Sequence, residues 1–151
     1  MLKHKGILRF VKIDSYNIEV DIHQSKNELI TFLREKNVLF DMPTESAIMI
    51  KSNLLSLDVE FYIYFHFDSE RIVAITMSPD KALQEEEMFS RYEIIQKALE
   101  VKLGIPENAM RLIMRIVDPH SRFSRWNKEG ICIEHYIIDR FGLEDIISIK
   151  L

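Results

Sequence analysis

"FYIYFHFDSERIVAITMSP", residues 61–79, carries an aromatic ring or a histidine on both sides of its first run. Side chains alternate along a strand, so Phe61, Ile63, Phe65 and Phe67 line one face and Tyr62, Tyr64 and His66 the other. The first set is wholly apolar and predicts a core face. Every side chain of the second ends in a polar handle, which suits either a packed helix with a wet edge or a surface that holds a partner. "DSE" (68–70) then reads as a hairpin turn, its aspartate accepting nearby backbone N–H groups, and "RIVAITM" as the returning strand.

Working outward, "SAIMIKSNLL" (46–55) supplies another strand, and a helix precedes it. Ser25 and Glu28 in "SKNE" match a capping box, Leu29, Ile30, Phe32 and Leu33 form an apolar stripe, and Asn37 can end the helix in a left-handed conformation. Residues 7–22, "ILRFVKIDSYNIEVDI", alternate loosely and predict a strand or hairpin turning at "DSYN". On the other side, "DKALQEEEMFSRYEIIQKALEVKLG" (80–104) is the strongest helix, with Met88, Tyr92, Ile95, Leu99 and Leu103 at helical spacing and Gly104 to Pro106 as its stop. The acidic run Glu85 to Glu87 complements its amino terminus. Three strand-like runs follow: "AMRLIMRIV", "GICIEHYII" and "LEDIISIKL".

Helix and then three strands thus occurs twice, over residues 23–79 and 80–151. Asn37 precedes His66 by 29 residues and Gly104 precedes His135 by 31. The expected fold class is α+β, two helices packed on antiparallel sheet. A tandem helix-plus-three-strands duplication and a chance recurrence in an ordinary α+β sandwich both remain open. Neither half buries its faces alone, so residues 1–151 are expected to form one compact domain.

Composition narrows the classes of function. At 47% hydrophobic residues the chain can build a core, and its net charge of −4 offers no global attraction to nucleic acid or to an anionic membrane. No secretory signal and no run of 18 apolar residues is present, so a cytoplasmic location without a membrane partner is expected. Cys132 is the only cysteine and is read as a small buried hydrophobe.

Enzyme signatures are sparse. GxGxxG, GxxxxGK[ST] and GxSxG are absent, and the four glycines, at 6, 104, 130 and 142, are explained by turns or caps. His4, His23, His66, His120 and His135 make no compact ligand spacing such as HExxH, so no metal and no cofactor is expected. His66 and His135 do fall in corresponding strands of the proposed repeats and His120 in a polar loop, so a site assembled by folding stays open, and Asp68, Asp139, Glu134 and Asp145 offer His–carboxylate pairs if strand ends converge. Their ordinary work is in turns and in packing beside tyrosines.

"DPHSRFSRWNKEG" (118–130) is more suggestive: its polar content and Pro119 argue against a regular core strand. Two arrangements remain open. Phe123 or Trp126 anchors a loop to the core, or Trp126 supplies contact area in a recognition loop where Arg122 or Arg125 grips a carboxylate or phosphate. Arg111 and Arg115 share one face of the preceding run and enlarge the basic surface.

The stretches "EMFSRYEIIQKALEVKLGIP", "RWNKEGICIEH" and "LEDIISIKL" together resemble small cytoplasmic α+β immunity-type proteins of bacterial toxin systems, over residues 60–151. The resemblance implies a non-enzymatic inhibitor that occludes a cognate toxin; it assigns no toxin-binding residue. The residues themselves point to a protein-binding surface of Tyr62, Tyr64, Arg122, Arg125 and Trp126. Two other readings stand beside it: a small-molecule or phosphate-ester enzyme using His66, His120 or His135 with Arg122 or Arg125 as anion binder, and a structural subunit that self-associates through Tyr62 and Tyr64.

Overall fold

The computed structural model describes residues 9–81, 83–107, 122–139 and 143–151. Among these residues, two helices and a small hairpin pack on one side of a seven-stranded antiparallel sheet. The hairpin comes first: β1 (Phe10–Ile13) and β2 (Ile18–Asp21) are joined by a single 3-10 turn, Asp14–Tyr16, which Asn17 closes at a φ of 49°. Next is α1 (Lys26–Glu35). Its capping box is complete: the Ser25 hydroxyl accepts from the Glu28 N–H at 3.2 Å, and Glu28 Oε2 accepts from the Ser25 N–H at 2.8 Å. Asn37 takes a φ of 54°, and the Val38 N–H returns to the Leu33 carbonyl at 2.9 Å.

The sheet begins with β3 (Phe40–Thr44), β4 (Ala47–Asn53), β5 (Glu60–Asp68) and β6 (Arg71–Pro79). Then α2 (Glu85–Leu103) ends at Gly104, whose φ is 84°. The chain returns through β7 (Phe123–Lys128), β8 (Ile131–Asp139) and β9 (Leu143–Lys150). Spatial order is β3-β4-β5-β6-β9-β8-β7, which places the last strand of each half side by side at the centre.

Two strands depart from the sequence reading. β3, "FDMPT", lies at the edge, where Pro43 needs no ladder partner and a register shift between Asp41 and Thr44 absorbs it. β7 lies within the segment read as a loop. Its outward residues are Phe123, Arg125 and Asn127 and its inward ones Ser124 and Trp126, and the two-residue turn Glu129–Gly130, with φ of 51° and 84°, pairs it to β8. The expected strand at 109–117 and the "DRFG" turn lie outside the described residues or extend beyond them.

One row of the covered face runs across the sheet through Ile48, Phe65, Ile75, Ile149, Ile133 and Trp126. The neighbouring row carries Ile50, Ile63, Met77, Ile147, His135 and Ser124. Leu29 and Leu33 of α1, Ile95 and Leu99 of α2, and Ile13 and Val20 of the hairpin join these rows in a single apolar core. Phe61, Ile63, Phe65 and Phe67 are all buried in it, as alternation predicts. The α1 amino terminus is tied to the β5–β6 turn by the Lys26 N–H, which donates to the Glu70 carbonyl at 2.9 Å. At the far edge the Glu107 N–H donates to the Arg125 carbonyl of β7 at 2.8 Å.

Candidate protein-binding face

The opposite face of the sheet has no helix on it among the described residues, because the apolar stripes of α1 and α2 both turn to the covered side. Alternation brings Met49, Tyr64, Thr76, Ser148, Glu134 and Arg125 into one row of this open face. Beside it, Lys51, Tyr62 and Ser78 share a row on the β4–β6 side, and Ile146, Tyr136 and Phe123 share one on the β7–β9 side. Tyr62, Tyr64, His66 and Tyr136 are half-buried, and Phe123 is exposed. The result is a broad surface of aromatic rings between polar groups, the composition that favours protein contacts.

Local bonds hold these side chains in place. His66 Nε2 lies 2.9 Å from the Thr76 hydroxyl, and its ring stands 6.2 Å from that of Tyr64, nearly parallel. The Lys51 ammonium sits 5.6 Å from the centre of the Tyr62 ring, 3.0 Å from Asp80 and 3.7 Å from Glu60. The hydrogen bond to Asp80 is the main force raising the Lys51 pKa. At the other end, Glu134 accepts from Arg125 at 2.9 Å and from Lys150 at 2.9 Å. Burial alone raises the pKa of that carboxyl, but the bonds from Lys150 and Arg125 outweigh it and hold the group below its usual range. Arg125 also lies over the Phe123 ring, 5.2 Å from its centre, and Phe123 meets Tyr136 at 6.4 Å.

The five residues expected to make one surface are divided between the two faces. Tyr62, Tyr64 and Arg125 lie on the open face, with Arg125 four strands from the tyrosines, about 19 Å at the usual strand spacing. Trp126 does not: it is 0% exposed, and its indole N–H donates to the Gly104 carbonyl at 2.9 Å. It is the anchor of β7, because alternation sends Ser124 and Trp126 inward. Arg122 bonds Glu93 of α2 at 3.2 Å and lies 5.0 Å from the Phe89 ring centre, on the helix side. Tyr136, Phe123 and Ile146 enlarge the open face, and the even positions of "GICIEHYII" were the signal for Tyr136. Cys132 is on this face too and is only partly buried, its Sγ 4.0 Å from Glu134.

His66 and His135 do not share a cleft. Phe65 and Ile133 are in one row of the covered face, so His66 falls on the open side and His135 beneath α2. There His135 is 0% exposed and stacks on Tyr92 with ring centres 3.9 Å apart. The Tyr92 hydroxyl donates to the His135 carbonyl at 3.1 Å. Gln96 Nε2 donates to Glu100, which turns Gln96 Oε1 to His135 Nδ1 at 2.8 Å and places the ring proton on Nδ1. Nε2 has no hydrogen-bond partner among the described residues, and burial pushes the imidazole pKa down to about 3. A neutral histidine sealed from solvent meets no substrate proton. Asp145, also buried, bonds Arg91 at 2.7 Å, Asp68 closes β5 and Asp139 ends β8. His120, Arg111 and Arg115 lie outside the described residues. Among the described residues no three His, Cys, Asp or Glu side chains are grouped to hold a metal, and no helix is long and apolar enough to cross a membrane.

No family model matches the chain, and no significant match was found to a curated protein or a solved structure.

Proposed function

We propose that the protein is a protein-binding module whose open sheet face, centred on Tyr62, Tyr64 and His66, seats a partner protein. The observation that carries this reading is the one-sided packing of both helices and the hairpin, which leaves tyrosines with ordered neighbours facing outward. A tyrosine brings large contact area with few rotors to immobilise, and the flanking pairs Lys51–Asp80 and Arg125–Glu134 supply a charged rim for selecting the partner. The narrower form of the proposal is an immunity role, with the partner a bacterial toxin that the face occludes; the resemblance over residues 60–151 supports that form.

The test is affinity capture from the native cell, followed by titration of the recovered protein against Tyr62→Ala and Tyr64→Ala. Each is expected to weaken binding roughly 30-fold, about 2 kcal/mol for a central contact. Arg122→Ala, on the helix side, is expected to leave affinity unchanged. Full affinity in both tyrosine variants, with their folds intact, would overturn the proposal. A recovered toxin whose activity is suppressed by the parent but not by Tyr64→Ala would support the narrower form.

A further inference from the structure

The covered side contains an apolar cavity of about 550 Å³ where the β1–β2 hairpin, the last turns of α2 and the middle of the sheet approach one another. Leu99 and Leu103 form the helical wall, Val11 the hairpin wall, and Met77, Ile147 and Ile149 the floor. The cavity is open to solvent along one side, and a concave, mostly apolar hollow of this size with a few polar groups is the usual form of a small-molecule site.

The lining defines the occupant. Its polar side chains are Lys12, Glu19 and Lys102, all exposed and therefore at the mouth, while the rest of the wall is apolar. A sugar or a nucleobase would find no hydrogen-bonding side chain in the interior; an aliphatic chain needs none. Lys12 and Lys102 come from facing elements, and neither has an ion-pair partner among the described residues. Glu19 is the cross-strand partner of Lys12, so the mouth carries one net positive charge and suits a monoanionic head. The loop that completes the lining is held in a costly conformation. Leu55 and Ser56 have φ of 58° and 57°, and Asp14 of the hairpin turn fixes them by accepting from the Ser56 N–H at 2.8 Å.

We infer that this cavity binds a long-chain aliphatic carboxylate, its chain lying between Leu99 and Ile147 and its carboxylate at the mouth between Lys12 and Lys102. This site is on the side of the sheet opposite the proposed protein-binding face.

The experiment uses the full chain and displacement of a dansyl-labelled undecanoic acid by dodecanoate. Saturable one-to-one displacement is expected, with dodecan-1-ol several-fold weaker because it lacks the charge. Lys12→Glu combined with Lys102→Glu should weaken dodecanoate roughly tenfold and leave dodecan-1-ol unchanged, the scale of two solvent-exposed charge contacts reversed. Leu99→Trp, which fills the cavity, should abolish both; the two lysines are exposed, so their reversal carries the test if the filled variant does not fold. Tyr64→Ala should leave displacement unchanged. Absence of displacement, displacement insensitive to the lysine reversal, or binding only to anionic phospholipid vesicles without displacement of the monomeric probe would each overturn the inference.

Discussion

His66 and His135 are each one strand removed from the central β6–β9 pair, and they have opposite surroundings. His66 stands on the open face beside Tyr64 and bonds a threonine hydroxyl; His135 is pressed against Tyr92 under a helix with one ring nitrogen unpartnered among the described residues. A shift of one residue along a strand separates the two outcomes, since it exchanges the faces. The same residue type therefore makes a polar contact on the open side of the sheet and serves as a buried packing element on the other. The difference between the faces is measurable.

The largest expected effect is on stability. Trp126→Ala opens a cavity under the β7 end of the covered face and breaks the bond to the Gly104 carbonyl, and should cost about 3 to 5 kcal/mol in a urea titration. Tyr64→Ala on the open face should cost only about 1 kcal/mol. Equal losses would break the distinction between the faces.

The next is a pH effect confined to the covered side. The folded pKa of His135, about 3, lies below its ordinary value of 6.5, so the unfolded chain takes up a proton that the folded one refuses. Its contribution is fully present above pH 6.5 and declines as pH falls toward 3, with about 2 kcal/mol lost by pH 5. Denaturation measured between pH 8 and 5 should show this slope, and His135→Gln should flatten it. Glu134, with its pKa lowered below 4.5, adds its own loss only in more acid solution. A slope that survives His135→Gln would assign the effect elsewhere.

The smallest is a gain. Glu129 occupies a positive-φ position in the β7–β8 turn, where asparagine is better suited. Glu129→Asn should stabilise the protein by roughly 0.5 kcal/mol, seen as a raised denaturation midpoint. No gain would mean that Glu129 has a compensating contact.

Much of the fold was legible because its signals are local. The period of two in residues 61–67 sorted both faces of β5, Ser25 and Glu28 marked the start of α1, and Asn37 and Gly104 marked two helix ends. β3 was hidden because aspartate and proline suppress a strand signal that an edge position tolerates. β7 was hidden because the polarity of "SRWNK" masks its alternation, though Glu129–Gly130 is a two-residue hairpin turn. The candidate face was half legible: Tyr62 and Tyr64 follow from alternation within one strand, whereas the separation of Arg122 and Trp126 from them depends on strand order. The Tyr92–Gln96–His135 cluster joins residues 39 and 43 apart, and local pattern does not specify how a helix docks.

Among the described residues the sheet ends at β3 and β7, and both edges offer little to an incoming strand. Along β3, Pro43 has no N–H to offer and the register shift twists the strand; along β7, the Arg125 carbonyl is already bonded to Glu107. An incoming strand finds an interrupted template at either side, so lengthening the sheet chain by chain is disfavoured and fibrous assembly is impeded. The partner contact proposed above, on the broad face, is of the other kind: side chains rather than backbone would make it, so its specificity would be set by sequence.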